Sequence, residues 1–203
     1  MKIICIGRNY VEHALELKNE VPTEPVFFLK PDTAILPKDR AFYLPEFSKD
    51  IHHEIELVLR VCKEGKHIQP EFADRYIDQI TVGIDFTARD IQQKQKEKGL
   101  PWEPAKAFDH SAPVGDFISL SEFPDKKNIP FYLNVNGKTV QSGNSSLMIH
   151  SFASIISYVS RFITLRKGDL IYTGTPKGVG AVKPGDKLEG FLGQTQLLTV
   201  DVK

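Results

Sequence analysis

The sequence predicts an α+β fold in which strands predominate, and three observations carry that prediction. Short apolar or alternating runs recur along the chain: KIICIG, VFFLK, EIELVLRVC, QITVGID, FYLNVNG, KTVQSG, DLIYTG, KLEGFL and LLTVDVK. Runs of this kind, bounded by turn residues, read as strands. Asn136-Gly137 separates two of them, and a type I′ hairpin needs positive φ at both central positions. Helical patterning is confined to three segments.

Taken in order, KIICIG places Cys5 in a buried strand. Residues 10–18 predict the first helix, with Asn9 as N-cap and Glu12 at the third helical position. Residues 18–25, KNEVPTEP, hold two prolines and read as a loose connection. In EIELVLRVC the residues Ile55, Leu57 and Leu59 share one face and look like core, and Cys62 ends the same run as a second buried cysteine. QITVGID leads into a helix at 88–98, with Thr87 as N-cap, Asp90 in the capping-box place and Gly99 as its stop. Residues 151–162 carry Phe152, Ile155, Ile156 and Val159 on one side, which predicts a helix packed on a sheet. Pro184-Gly185 and residues 193–195 mark the last turns.

The length of 203 residues fits one domain over 1–203 with a sizeable core. Lys plus Arg equals Asp plus Glu at 26 each, so nothing in the charge favours a nucleic acid or a membrane surface. No run is long enough to span a bilayer. The two cysteines lack disulfide or metal spacing, which reads as a cytoplasmic protein.

The chemistry begins at IHHEIEL, residues 51–57. Glu54 and Glu56 lie two apart on a strand, so they point the same way, about 7 Å apart. Two like charges on one face suit either solvent or a bound cation. Asp85 is a third acid, placed where a strand ends and a helix opens. Charges ~4 Å apart repel by about 4 kcal/mol at an effective dielectric of 20, and a divalent cation would remove that penalty. All-oxygen ligands favour Mg²⁺, Mn²⁺ or Ca²⁺ over zinc. His52 and His53 form no H-E-x-x-H zinc motif. His13 and Glu16 are three apart on the first helix, so the carboxylate can hold the imidazole, although such pairs are common on surfaces.

The stretches IGRNYVEHALEL, FLKP, HHEIEL, GIDFTARDIQ, KGLPWEPAKAFD and YTGTPKGVG occur in this order. Together they resemble the fumarylacetoacetate hydrolase family, most closely its acylpyruvase and oxaloacetate decarboxylase branch, from residue 3 to about residue 190. The resemblance implies a mixed β-sandwich roll with peripheral helices and a homodimer. It also implies that Glu54, Glu56 and Asp85 bind Mg²⁺ or Mn²⁺, and that His13 and Glu16 are the catalytic dyad. Lys106 is placed by resemblance in the active site, and Gln92 and Thr175 against the substrate. Arg89 reads equally as a substrate contact and as the partner of an acid. The first helix is short enough to be marginal alone, so residues 9–25 read as a lid that orders when substrate docks.

TGTPKGVG does not fit the P-loop spacing, but its glycines suit a turn whose N–H groups could cradle a carboxylate. Lys177 and Gly178 read as plain loop. For Arg8, Asn9 and Lys30 a structural role is at least as good a reading. The expected substrate is a small 2-oxo acid. The first reading is hydrolysis of acylpyruvates, with oxaloacetate decarboxylation at the same site. An isomerase or tautomerase of related acids is the alternative, and a structural Ca²⁺-binding domain the reading from a different class.

Overall fold

A computed structural model describes residues 1–17 and 20–203. In chain order the elements are β1 (Ile3–Gly7), α1 (Val11–Glu16), β2 (Val26–Lys30), β3 (Ile51–His53), β4 (Ile55–Val61), β5 (Ile77–Ile84), β6 (Thr87–Ala88), α2 (Arg89–Lys98), α3 (Glu103–Lys106), β7 (Ile118–Ser119), β8 (Pro130–Val135), β9 (Lys138–Asn144), α4 (Phe152–Phe162), β10 (Leu170–Tyr172), β11 (Gly180–Ala181), β12 (Lys187–Leu192) and β13 (Thr195–Asp201). The fold is α+β and predominantly β, as the strand runs predict.

Three sheets form the body. The largest has the order β2-β1-β10-β4-β5-β7, and smaller ones run β11-β3-β6 and β13-β12-β8-β9. Strand β1 pairs with β10 in parallel, and the other pairings within these sheets are antiparallel. Strand β4 is central, so both of its faces are covered and Arg60 alone among its residues is exposed. That is why Ile55, Leu57 and Leu59 are core while Glu56, on the other face, is also buried. Burying each such apolar side chain is worth about 1.5–3 kcal/mol. The hairpin between β8 and β9 turns at Asn136 and Gly137 with φ of 53° and 76°, the pair of positive values that type I′ requires.

Several local expectations are corrected. Helix α1 starts at Val11 with Tyr10 in the cap position and no side-chain cap. Asn9 instead donates to Thr173 O and His150 O and accepts from His150 N. Its amide ties three loops together, a long-range use that outcompetes a local cap. Residues 18 and 19, the expected end of that helix, lie outside the described residues. Helix α2 starts after Ala88, because Thr87 is paired with His52 in the small sheet. Asp90 accepts from Ser48 Oγ and Lys49 N, anchoring an adjacent loop. Gly99 ends α2 at φ 63° as expected. Cys62 falls one residue beyond β4 and is only half-buried. Helix α4 is capped by Ser151 and buries the four expected residues. Its main neighbour is the 3-10 segment Pro70–Tyr76, and it reaches the large sheet at edge strand β2, where Phe27 meets Tyr158 and Phe162. No helix among the described residues is long and apolar enough to cross a membrane.

Candidate active site

Two neighbouring strands change sheets together, and the acids emerge at that crossing. The chain pairs with β6 and β11 as β3, then with β10 and β5 as β4, and Glu54 is the single residue between. Ile55 lies opposite Ile84, so Asp85 leaves β5 beside Glu54 and its N–H donates to Glu54 O at 2.9 Å. Glu56 follows two residues on. One ligand atom from each of Glu54, Glu56 and Asp85 can be chosen so that all lie within 4.8 Å of one another. Their exposures of 4, 2 and 1% decide against a solvated strand face.

Cations surround two of the three acids. Lys106 Nζ donates to Glu54 Oε2 at 2.8 Å, Asp85 Oδ2 at 2.7 Å and Thr87 Oγ1 at 2.5 Å. It is 2% exposed, so it is no snorkelling surface lysine. Burial alone would lower its pKa, but Asp85 and Glu54 leave it above the ordinary lysine value. Arg89 donates to Glu54 Oε1 and, at 2.6 Å, to Gln92 Oε1. Its acid-partner reading therefore holds, and Gln92 is held in place by it. Burial would raise the Glu54 pKa, but Lys106 and Arg89 hold it below the usual carboxylate range.

Lys30 joins the cluster from β2. Its Nζ lies 2.7 Å from Asp85 Oδ1 and donates to Ser111 O at 2.9 Å and Ser111 Oγ at 3.0 Å. Asp85 Oδ1 thus receives charge from Lys30 but no aligned hydrogen bond, and it is a buried acceptor without a donor. Glu56 has no cationic partner among the described residues. It accepts from Gly174 N at 2.6 Å, while burial and the Asp85 charge push its carboxyl well above the usual range. An orphaned oxygen on Asp85 and an uncompensated acid at Glu56, beside Glu54, form a hard-oxygen donor set. That set fits a divalent cation of the Mg²⁺ or Mn²⁺ kind.

His13 lines the same cavity as the three acids. His13 Nδ1 donates to Glu16 Oε2 at 3.3 Å, which leaves Nε2 as the unprotonated nitrogen. Burial lowers the His13 pKa, against the raising effects of Glu54 and Glu16. Glu16 accepts from Gly178 N at 3.0 Å, and Lys177 Nζ donates to Glu12 at 3.2 Å. Residues 177 and 178 are therefore no plain loop, because they tether α1. The glycine-rich turn does cradle carboxylates, but those of the chain itself: Gly174 holds Glu56 and Gly178 holds Glu16.

Thr175 lines the same cavity as His13, the three acids, Arg89, Gln92 and Lys106. Its hydroxyl donates to Ile55 O at 2.8 Å and accepts from Gln141 Nε2 at 3.0 Å. A substrate carboxylate would receive its proton only after the first bond is exchanged. Gln141 is a residue sequence reasoning missed. Its Oε1 accepts from His53 Nδ1 and from Ile55 N, and its Nε2 also donates to Pro176 O. One buried amide therefore locks the strand bearing Glu54 and Glu56 to the loop bearing Gly174 and Thr175. Only the FLKP stretch hinted at Lys30, and no local pattern marks a lone glutamine on a hairpin.

Comparison with known proteins finds relatives over nearly the whole chain. The family model described as fumarylacetoacetate (FAA) hydrolase, C-terminal, matches residues 2–202. The mitochondrial oxaloacetate tautomerase of Rattus norvegicus is 46% identical over 187 residues, covering 92% of this chain and 85% of the relative. The mitochondrial oxaloacetate decarboxylase of Dictyostelium discoideum is 42% identical over 189 residues, covering 93% and 87%. The crystal structure of fumarylpyruvate hydrolase from Pseudomonas aeruginosa, in complex with Mn²⁺ and pyruvate, superposes with a TM-score of 0.93 at 39% identity, covering 100% of this chain and 89% of the other. Matched by the family model over residues 2–202 and 46% and 42% identical to these two relatives over nearly its whole length, this chain belongs to the fumarylacetoacetate hydrolase family.

Proposed function

We propose that the chain is an acylpyruvate hydrolase that also decarboxylates oxaloacetate at the same site. The observation that carries this reading is the buried His13, hydrogen-bonded to Glu16 and lining the same cavity as the three acids. Glu54, Glu56 and Asp85 would hold Mg²⁺ or Mn²⁺, and Ca²⁺ also suits their oxygens. When bound, the ion supplies Lewis acidity toward the carboxylate and keto oxygens of a 2-oxo acid.

The chain's own residues supply the rest. Glu16 fixes the imidazole through Nδ1, and Nε2 takes a proton from water as it attacks the distal carbonyl of a 2,4-dioxo acid. The C–C bond between the two carbonyl units breaks. Its electron pair stays with the pyruvate end, which takes up a proton, and the acyl end leaves as a carboxylic acid. Lys106 and Arg89 counter the charge that builds at the pyruvate end. With oxaloacetate, CO₂ leaves from the same bond position and no water attacks.

A second reading is keto–enol tautomerisation of oxaloacetate, favoured by the 46% identity to a relative of that name. It needs only a proton moved at carbon 3, which a neutral His13 also suits. Turnover of acetylpyruvate and oxaloacetate with Mg²⁺, with EDTA, and in Glu54→Ala and His13→Ala variants separates the two. Hydrolase chemistry predicts pyruvate from both substrates, loss of both in EDTA and in Glu54→Ala, and a fall of about 10²–10⁴ in hydrolysis for His13→Ala. Fast enol–keto exchange of oxaloacetate, with no C–C cleavage of either substrate, selects the tautomerase.

A further inference from the structure

The two oxygens of Asp85 are held unequally. Oδ2 accepts an aligned hydrogen bond from Lys106 Nζ at 2.7 Å. Oδ1 has Lys30 Nζ at 2.7 Å as well, yet it is buried and accepts no hydrogen bond. A buried acceptor beside a donor that does not serve it costs free energy. The cause lies on the lysine's side.

An ammonium group has three N–H bonds to give. Lys30 donates to Ser111 O at 2.9 Å, to Ser111 Oγ at 3.0 Å and to Phe86 O at 3.4 Å. Those three acceptors take up its whole donor capacity. Asp85 Oδ1 therefore feels the charge of Lys30 and receives none of its protons.

Ser111 supplies two of the three acceptors, and the backbone fixes it between both partners. Its carbonyl also accepts from Phe86 N at 2.9 Å, one residue after Asp85. Its neighbours His110 and Ala112 donate through N–H to Thr33 O at 3.1 Å and Ala34 O at 2.7 Å, in the 3-10 turn Asp32–Ala34 just after β2 and Lys30. The serine hydroxyl spends its own proton on Lys106 O at 2.9 Å, so Oγ meets Lys30 as an acceptor. The side chain is fully buried.

We infer that Ser111 is a positioning residue for the metal site: by drawing the Lys30 protons away from Asp85 Oδ1, it reserves that oxygen as the ligating atom and leaves the lysine charge beside it. A lysine N–H turned onto Oδ1 would place a proton about 1.9 Å from it. A divalent cation would then share the oxygen with that proton and bind less tightly. The inference rests on the metal reading above, and it names the Asp85 atom which that reading needs.

Mn²⁺ titrations followed by calorimetry test this without turnover. The proteins are the wild type, Ser111→Ala, Ser111→Thr, Lys30→Met and the double variant Ser111→Ala/Lys30→Met. Ser111→Ala frees one Lys30 N–H to turn toward Asp85, so the Mn²⁺ Kd should rise by about 10–100-fold. Ser111→Thr keeps the hydroxyl acceptor and should restore binding close to that of the wild type. Lys30→Met has no proton to divert, so adding Ser111→Ala to it should change the Kd by no more than about twofold, the usual departure from additivity of independent sites. If Lys30→Met does not fold, the contrast between alanine and threonine at 111 decides alone. A Kd that does not rise in Ser111→Ala, or that rises equally with and without Lys30, overturns the inference and leaves the metal reading intact. In the second case the serine acts through its bond to Lys106 O. A wild type that takes up no Mn²⁺ overturns the inference and the metal reading together.

Discussion

Lys106 shows how much depends on single residues. It is the shared partner of Glu54 and Asp85, and all three are buried. Removing one partner from a buried ion cluster leaves charge with nothing to answer it. Lys106→Met should therefore lower the unfolding free energy of the metal-free protein by about 3–5 kcal/mol in urea titrations. A loss below ~1 kcal/mol would mean that the acids protonate in place and the lysine is dispensable for stability. His13 gives a pH prediction. Burial lowers its folded-state pKa below the unfolded one. The neutral form is thus favoured by folding, so this residue's contribution to stability is present above the unfolded pKa and is lost as pH falls through the folded pKa. The acid limb of hydrolysis should lie below the ordinary histidine value of about 6.5. Glu16 raises the His13 pKa. Glu16→Gln should then move that limb to lower pH while reducing kcat, and a limb that stays put would detach the dyad from the pH profile. The three acids were legible in the sequence because strand alternation puts Glu54 and Glu56 on one side and Asp85 closes a neighbouring strand run. Lys30 was not separable from structural residues, because what distinguishes it is a set of partners far along the chain.

At the scale of elements, the sequence revealed repeating patterns and missed single pairings. Strands β4 and β5, the Asn136-Gly137 hairpin and the apolar face of α4 follow from periodicity and turn chemistry. The two-residue strands β6, β7 and β11 are too short to have a period. They are made by neighbours already in place, and β6 takes Thr87 away from its expected cap role. The same reason hid Gln141, whose partners lie 34 to 88 residues away in sequence. Its four hydrogen bonds hold the β3–β4 crossing against the loop after β10. Gln141→Leu keeps the size of the side chain and strands several buried polar groups at about 1–3 kcal/mol each. The expected outcome is a destabilisation of at least ~2 kcal/mol, with faster amide exchange across residues 173–178 and weaker Mn²⁺ binding. A variant that is destabilised yet binds Mn²⁺ as the wild type does would show that the crossing keeps its geometry without this amide.

The whole molecule concentrates acid where two strands pass between sheets, and this couples metal, pH and stability. In the metal-free protein burial and Asp85 raise the Glu56 pKa well above that of the unfolded chain. Such a group stabilises the fold fully below its unfolded pKa, and that contribution is lost as pH rises through the folded value. The metal-free protein should therefore lose stability as pH rises across that window. A bound divalent cation requires the ionised carboxylate, so binding expels the Glu56 proton and tightens with pH over the same window. The two effects have opposite signs, and the difference between the holo and metal-free forms should widen with pH. At 100 times its Kd, Mn²⁺ adds about 2.7 kcal/mol of stability. Melting curves with Mn²⁺ or EDTA at a series of pH values read this directly. Glu56→Gln keeps the side-chain size and cannot ionise, so it should melt with little pH dependence from this site and gain little from Mn²⁺. His13→Ala lies outside the acid cluster, so it should keep the full Mn²⁺ gain. A gap between the Mn²⁺ and EDTA curves that stays constant with pH would show that Glu56 is already ionised in the metal-free fold. The positive charge of Lys30, Lys106 and Arg89 would then have to serve all three acids rather than the two they touch.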